Sequence, residues 1–298
     1  MDDFLDVEIG GIIRLLSPFC LILPFQFLIS EIAIGASKLK SLAVFHLFSK
    51  GLFILSLFAL WKGRGLNVEL IIILNLLSWF AATAVVLLTL KPSFSNIKEN
   101  LKIVKSKNKS FGLSYYYGAI VNQSTFKLDE LFITYFVNIT QLGFYTLASI
   151  ICSPMTFLSR AFVNSIFKKL AFKDRIPIRV FVYNTLWLGF CILFLYLCSD
   201  FIVSTLFGEE YMQVSIYILP LSIAFLFQGM YAPFSFLTVK SKGRELRNVA
   251  YAEAFVNVFG NILLVPTIGV LGAIYASILA RFTHFVGLWY YYNKMIKA

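Results

Sequence analysis

The sequence predicts an all-α integral membrane protein with about nine transmembrane helices and no separate soluble domain. First, 59% of its 298 residues are hydrophobic and only 14% are charged, whereas an ordinary soluble domain carries about 25% charged residues. Second, the apolar residues form stretches of roughly 20, the length that a helix needs to cross a bilayer. Third, the links between these stretches are short. Because backbone amides in lipid must be satisfied within their own segment, the stretches are expected to be helices.

The nine candidate spans divide the chain into two unequal lobes. They lie at about 12–34, 42–61, 70–90, 112–137, 143–166, 178–199, 213–238, 250–267 and 271–291. Residues 1–92 are predicted to form a partial N-terminal lobe with three spans, and residues 112–298 a complete C-terminal lobe with six. Residues 93–111 are a basic connector between the lobes and are predicted to be cytoplasmic.

Lysine and arginine concentrate in alternate links, as the positive-inside rule predicts. The stretch 91–111 holds six lysines, and the links around 167–179 and 240–247 are also basic. Three of the intervening links carry no base and lie at 138–142, 199–211 and 266–272. The exception is the link at 61–69, which is predicted to lie outside but carries Lys62 and Arg64. This alternation predicts a cytoplasmic C-terminus, and it accounts for the net charge of +11 without a nucleic-acid partner.

An internal repeat relates the two predicted lobes. At an offset of 202 residues, five of 23 positions are identical: Pro18, Phe25, Gln26, Lys38 and Lys40 align with Pro220, Phe227, Gln228, Lys240 and Lys242. The offset preserves orientation, which is typical of parallel repeats in transporters. By this alignment the first three spans of the C-terminal lobe have no counterpart in the N-terminal lobe, so the sequence is interpreted as a truncated form of a twelve-helix, two-lobe protein. A genuine nine-helix protein is the alternative.

Three phrases in the C-terminal half follow one another in order and at fitting spacing. The first is an Asp followed by Gly-x-Tyr-x-x-Ala, with Asp129, Gly143, Tyr145 and Ala148. The second is Leu-Phe-Gly-x-x-Tyr, with Leu206, Phe207, Gly208 and Tyr211. The third contains Gly243, Asn257, Pro266, Gly269, Gly272 and Ala273. Together they resemble the O-antigen and polysaccharide flippases, in the superfamily that includes the multidrug-and-toxin extrusion transporters. The resemblance covers about residues 112–295, and residues 12–90 match only in layout.

The resemblance implies a flippase, not an enzyme, that moves an undecaprenyl-pyrophosphate-linked oligosaccharide, such as an O-antigen unit, across the bacterial inner membrane. It implies no cofactor, and it leaves open coupling to a proton or sodium gradient and contact with other polysaccharide-assembly membrane proteins. Three alternatives stand beside it: a drug or cation antiporter of the same superfamily, a membrane-embedded polysaccharide polymerase, and a non-functional truncated remnant. A polymerase would need a catalytic loop, and no outside loop in the predicted topology is long enough.

Arg281 lies near the middle of the last predicted span, with Ser277 and His284 on the same helical face. A charge there costs about 2.5–3.5 kcal/mol and therefore needs a reason. One interpretation is a cationic cavity wall for a substrate pyrophosphate, because a guanidinium fork matches two phosphate oxygens. The other is an ion pair between helices, with Glu253 or Asp129.

The span 112–137 carries two polar stripes, which predict that it faces a water-filled cavity and not lipid. One stripe is Asn122, Thr125 and Asp129, and the other includes Lys127 and Glu130. Lys127 and Glu130 are expected to pair because they are three residues apart on a helix. Asp129 is the first candidate for ion coupling, and a structural ion pair is the alternative.

A third stripe lies in the span 250–267, where Glu253, Asn257 and Asn261 are spaced at i, i+4 and i+8. It faces the same cavity or packs through hydrogen bonds between helices. Glu130 and Glu253 join Asp129 as ion-coupling candidates. The substrate-binding candidates are Arg281, His284, Lys127, Asn122, Asn257 and Asn261. Because the basic residues in these spans offset the acids, an anionic substrate is favoured over a cation, and no metal site is predicted.

Overall fold

The computed structural model describes residues 17, 22–61, 68–90 and 95–297, and this part of the chain is helical almost throughout and contains no strand. Seven of its segments are long and apolar enough to cross a membrane. They are Leu39–Leu60, Leu70–Leu88, Ile139–Ala171, Ile178–Phe207, Gln213–Val239, Gly243–Ile268 and Val270–Lys297. The prediction of an all-α, multi-pass membrane protein is therefore confirmed.

The described residues form thirteen α-helices. They are α1 (Ile22–Gly35), α2 (Leu39–Trp61), α3 (Val68–Leu90), α4 (Ile97–Lys107), α5 (Leu113–Phe126), α6 (Leu128–Phe136), α7 (Ile139–Cys152), α8 (Pro154–Ala171), α9 (Ile178–Phe207), α10 (Gln213–Gly229), α11 (Ser235–Val239), α12 (Gly243–Ile268) and α13 (Val270–Lys297). A π-helical turn, Asn108–Gly112, joins α4 to α5. Short 3₁₀ turns, Glu209–Tyr211 and Ala232–Phe234, precede α10 and α11.

The spanning helices keep much of their apolar surface on the outside of the protein. In the most apolar window of each candidate span, only 11% to 44% of the residues are buried. Leu47 and Leu88, for example, are 74% and 77% exposed. A soluble helical bundle would turn such side chains inward, so this surface fits a lipid environment.

The predicted count of nine spans is not confirmed among the described residues. The prediction at 12–34 corresponds to α1, a shorter apolar helix, and most residues before Ile22 lie outside the described part of the chain. The prediction at 112–137 corresponds to the pair α5 and α6. The helix is interrupted at Lys127, whose N–H bonds to the carbonyl of Ser124, three residues earlier, at 3.2 Å.

Two segments predicted as links contain helix instead. Residues 97–107 of the basic connector form α4, and α9 continues through residues 199–207 before it ends at Gly208. Neither segment contains a glycine or proline. Polar residues end a membrane span, but a helix itself ends where a breaking residue or a cap stops it, so both helices extend beyond the apolar stretch.

The chain divides into two compact units, Met1–Ile97 and Lys98–Ala298. In the first unit, α1, α2 and α3 pack on one another. Their shared core consists of Ile29, Phe45, Ala82 and Val86, with Trp79 packed against it. The polar stripes predicted above all belong to the second unit.

In the second unit, α12 and α13 form the most extensive helix pair, α5 packs along α12, and α10 packs along α13. Gly269 joins α12 to α13 with φ +60°, a left-handed conformation that favours glycine. A Cβ on Gly272 would collide with the backbone of Leu264. Gly269 and Gly272, which belong to the third sequence motif, therefore allow α13 to turn back closely against α12.

Candidate functional site

A polar cavity of about 60 Å³ lies among α5, α6, α8, α10, α12 and α13 of the second unit. Apart from Ala280, the residues that line it are polar or charged: Asn122, Thr125, Asp129, Arg160, Gln228, Tyr231, Glu253, Asn257, Ser277 and Arg281. A water molecule needs about 10–15 Å³ of such volume. The cavity therefore admits several water molecules, a small ion or phosphate oxygens, and it is too small for an oligosaccharide.

Asp129, near the start of α6, holds three other helices together at this cavity. Its side chain is 2% exposed. Oδ1 accepts hydrogen bonds from the amides of Asn257 at 3.0 Å and Asn261 at 2.8 Å, both on α12. Oδ2 accepts one from the Tyr145 hydroxyl on α7 at 3.0 Å and one from the Ser277 hydroxyl on α13. Four donors meet the acceptor capacity of a carboxylate, so the charge is buried with its hydrogen bonds made.

Glu253 on α12 forms a second cluster on the same cavity. Its Oε2 lies 2.5 Å from the amide nitrogen of Asn122 and 2.5 Å from Nδ1 of His284. The Tyr231 hydroxyl is 3.4 Å from Oε1, and the Tyr231 ring stacks on the His284 ring with 4.1 Å between centroids. The same hydroxyl donates to the backbone carbonyl of Arg281 at 2.9 Å. This cluster links α5, α12 and α13 through one carboxylate.

Two arginines from different helices line the cavity. Arg281 on α13 is 5% exposed, and its guanidinium carbon lies 4.7 Å from the centre of the Phe225 ring, within the range of a cation–π contact. Arg160 on α8 is exposed. The cavity therefore presents one cation deep in the helical unit and a second that is open to its surroundings.

Gln228 on α10 adds a polar group to the lining. Its buried Oε1 accepts no hydrogen bond from the residues that the structure describes. A buried acceptor of this kind costs free energy unless a partner reaches it. A water or a bound molecule that donates a hydrogen bond to this oxygen would therefore be stabilised here.

Most of the residues predicted from sequence come together here. Five of them line the cavity: Asn122, Asp129, Glu253, Asn257 and Arg281. Asn261 and His284 contact the lining residues directly, through Asp129 and Glu253. The structure thus places two of the three polar stripes, and the helical face of Arg281, on helix faces that meet.

Lys127 and Glu130 lie elsewhere. They form the predicted i,i+3 pair, with 2.5 Å between Nζ and Oε1, and their side chains are 65% and 34% exposed. Neither is among the residues that line the cavity as described. At 100° per residue, Lys127 and Glu130 lie on a different helical face from Asn122, Thr125 and Asp129, and Lys127 is also at the exposed junction between α5 and α6.

Three of the functional candidates were not predicted from sequence: Arg160, Gln228 and Tyr231. Arg160 lies within an apolar segment, and a charged residue in such a segment indicates a functional or structural role. Tyr231 follows α10 in the short connection to α11, and its contacts with Glu253, Arg281 and His284 join residues 22 to 53 positions apart. No local spacing reveals such a contact.

Comparison with protein-family models, with curated proteins and with solved structures found no match to this chain.

Proposed function

We propose that this protein is a flippase that moves an undecaprenyl-pyrophosphate-linked oligosaccharide, such as an O-antigen unit, across the bacterial inner membrane. In this proposal α1 and the α5–α6 pair also cross the membrane. The total is then nine spans in two parallel lobes, with the C-terminus in the cytoplasm. The cavity of the second unit receives the phosphate end of the substrate.

The observation that carries the proposal is the pair of guanidinium groups, Arg160 and Arg281, on one polar cavity between membrane helices. A guanidinium matches phosphate oxygens in a bidentate geometry and is less strongly hydrated than an ammonium group, which suits a partly buried site. The small volume of the cavity fits phosphate oxygens. The glycan and the lipid chain would lie outside it.

Ion coupling belongs to the same proposal, through Asp129. Its carboxylate accepts four hydrogen bonds from three helices. A protonated carboxyl group carries its own donor hydrogen, so at least one of these bonds would have to break or reverse. Protonation or cation binding at Asp129 would therefore change how α6 packs on α7, α12 and α13, which is the coupling that alternating access needs.

A cation or drug antiporter is the second candidate, because two acids, Asp129 and Glu253, lie on the same cavity as the arginines. The two candidates differ in what the cavity binds. A flippase depends on Arg160 and Arg281 for its anionic substrate, whereas a cation exporter depends on the acids and is inhibited by the arginines.

The test is transport by the purified protein in proteoliposomes that contain a fluorescent undecaprenyl-pyrophosphate-linked oligosaccharide. A membrane-impermeant reagent reports how much substrate has reached the other leaflet. Arg160→Gln is expected to lower the rate about 10- to 100-fold, because a hydrogen bond to a charged group contributes about 1.5–3 kcal/mol. Arg281→Gln tests the deeper guanidinium in the same way.

The matched control is Arg175→Gln, which removes an exposed arginine in the link between α8 and α9. It should leave the rate unchanged. Equal rates in the wild type and both cavity variants would contradict the proposal. If the protein exports an organic cation in exchange for protons and does not move the lipid-linked substrate, the antiporter replaces the flippase as the proposed function.

A further inference from the structure

The basic connector contributes an amphipathic helix that the cavity does not use. No residue of α4 is buried. Ile97, Leu101 and Val104 recur at i, i+4 and i+7, so they form one stripe along the helix. These side chains are 51%, 59% and 62% exposed. About two turns of apolar surface are therefore left uncovered by the described part of the protein.

A row of lysines runs beside this stripe. Lys98, Lys102 and Lys105 repeat the same spacing about 100° around the helix, and all three are exposed. Glu99, the one acid in the sequence of α4, lies about 100° further round. An apolar stripe flanked by lysines is the pattern of helices that lie in the interface between lipid head groups and acyl chains.

Both ends of α4 are tied to membrane helices. Ile97 follows Leu90, the last residue of α3, by only seven positions, and the other end continues through the π-helical turn into α5. Seven residues span at most about 25 Å. Since α5 packs along the spanning helix α12, α4 is held within reach of the bilayer surface at both ends.

We propose that α4 is an interfacial helix that binds an anionic lipid surface. The stripe of Ile97, Leu101 and Val104 enters the head-group region, and the lysine row binds lipid phosphates. Apolar burial alone would hold the helix on any bilayer, whereas the lysines select a negatively charged one. Each lysine near such a surface strengthens binding roughly fivefold, so three strengthen it about 100-fold.

The experiment uses the full chain in lipid nanodiscs, with its native cysteines replaced and a single cysteine introduced by Val104→Cys. An environment-sensitive dye on that cysteine reports whether the stripe is in lipid or in water. In discs of phosphatidylcholine with phosphatidylglycerol, we expect a blue-shifted emission that spin-labelled lipids quench. In neutral discs the shift should be smaller. It should also fall between 0.1 M and 1 M salt, since the screening length shortens from about 10 Å to about 3 Å.

Replacement of Lys98, Lys102 and Lys105 by Gln should abolish the difference between anionic and neutral discs. The matched control replaces Lys168, Lys169 and Lys173 by Gln, the same charge change in another basic segment, and should preserve it. Emission independent of lipid charge in the parent protein would overturn the proposal. So would an emission that stays water-like in both discs and shifts only when soluble protein is added, because a protein partner would then cover the stripe. Apart from Val104 and the replaced cysteines, the altered side chains are exposed lysines. Every lysine variant is compared with the same cysteine-replaced parent, so the cysteine replacements cancel, and the salt dependence needs no lysine substitution.

Discussion

Asp129→Asn is the substitution for which the structure makes the sharpest prediction. The asparagine keeps the shape of the carboxylate and one acceptor oxygen. Its NH2 group replaces the other oxygen and cannot accept hydrogen bonds from the donors that face it. Two of the four hydrogen bonds that Asp129 accepts are lost. A hydrogen bond between membrane helices contributes about 0.6 kcal/mol on average and up to about 1.7. The free energy of unfolding should therefore fall by about 1–3 kcal/mol.

Glu130→Gln is the matched control, because it makes the same chemical change one residue along the same helix. Its partner is Lys127, in an exposed i,i+3 pair. Such pairs contribute about 0.3–0.5 kcal/mol, so this variant should differ little from the wild type.

The assay is unfolding in mixed micelles with increasing sodium dodecyl sulfate, followed with a thiol-reactive dye. Cys152 and Cys191 are suitable reporters because they are 0% and 8% exposed in the core of the second unit. They react when that core opens. A loss in Asp129→Asn no larger than in Glu130→Gln would refute the claim that Asp129 holds four helices together.

Two further predictions concern the walls of the site. Tyr231→Phe removes the hydroxyl that donates to the Arg281 carbonyl but keeps the ring on His284, so it should lower the free energy of unfolding by about 1 kcal/mol. Tyr231→Ala also removes the stacked ring and should lower it by about 0.5–1.5 kcal/mol more. Equal losses in the two variants would show that the stack contributes nothing. Gly272→Ala forces a Cβ against the Leu264 backbone and should destabilise the protein by about 1–3 kcal/mol, whereas Gly143→Ala, which enters open space on a helix, should be neutral or stabilising by up to about 1 kcal/mol. Thermal unfolding in detergent compares the two glycine variants, and similar behaviour of both would argue against the close α12–α13 contact.

Helical periodicity in the sequence determined which residues share a face. Asn122, Thr125 and Asp129 were predicted as one stripe, and Asn257 and Asn261 as part of another, because residues three and four apart on a helix point the same way. All of these except Asn261 line the cavity, and Asn261 contacts it through Asp129. Composition likewise determined the class of protein, since a bilayer requires long apolar helices with few charges.

The polar stripe that includes Lys127 shows where periodicity is insufficient. The stripe assumes one continuous helix through residues 112–137, but the helix breaks at Lys127 and the pair with Glu130 stays exposed. A break of this kind needs no proline or glycine, so composition does not mark it.

Only the tertiary structure decided which faces meet. The sequence placed Arg281, Asp129 and Glu253 in separate predicted spans, and the structure brings all three to one cavity. The structure surrounds Asp129 with Tyr145, Asn257, Asn261 and Ser277, and it joins Glu253 to His284 and Asn122. These partners lie between 16 and 148 residues apart along the chain. Local spacing orients a side chain on its own helix, whereas the partner that it reaches depends on the packing of helices that are distant in sequence.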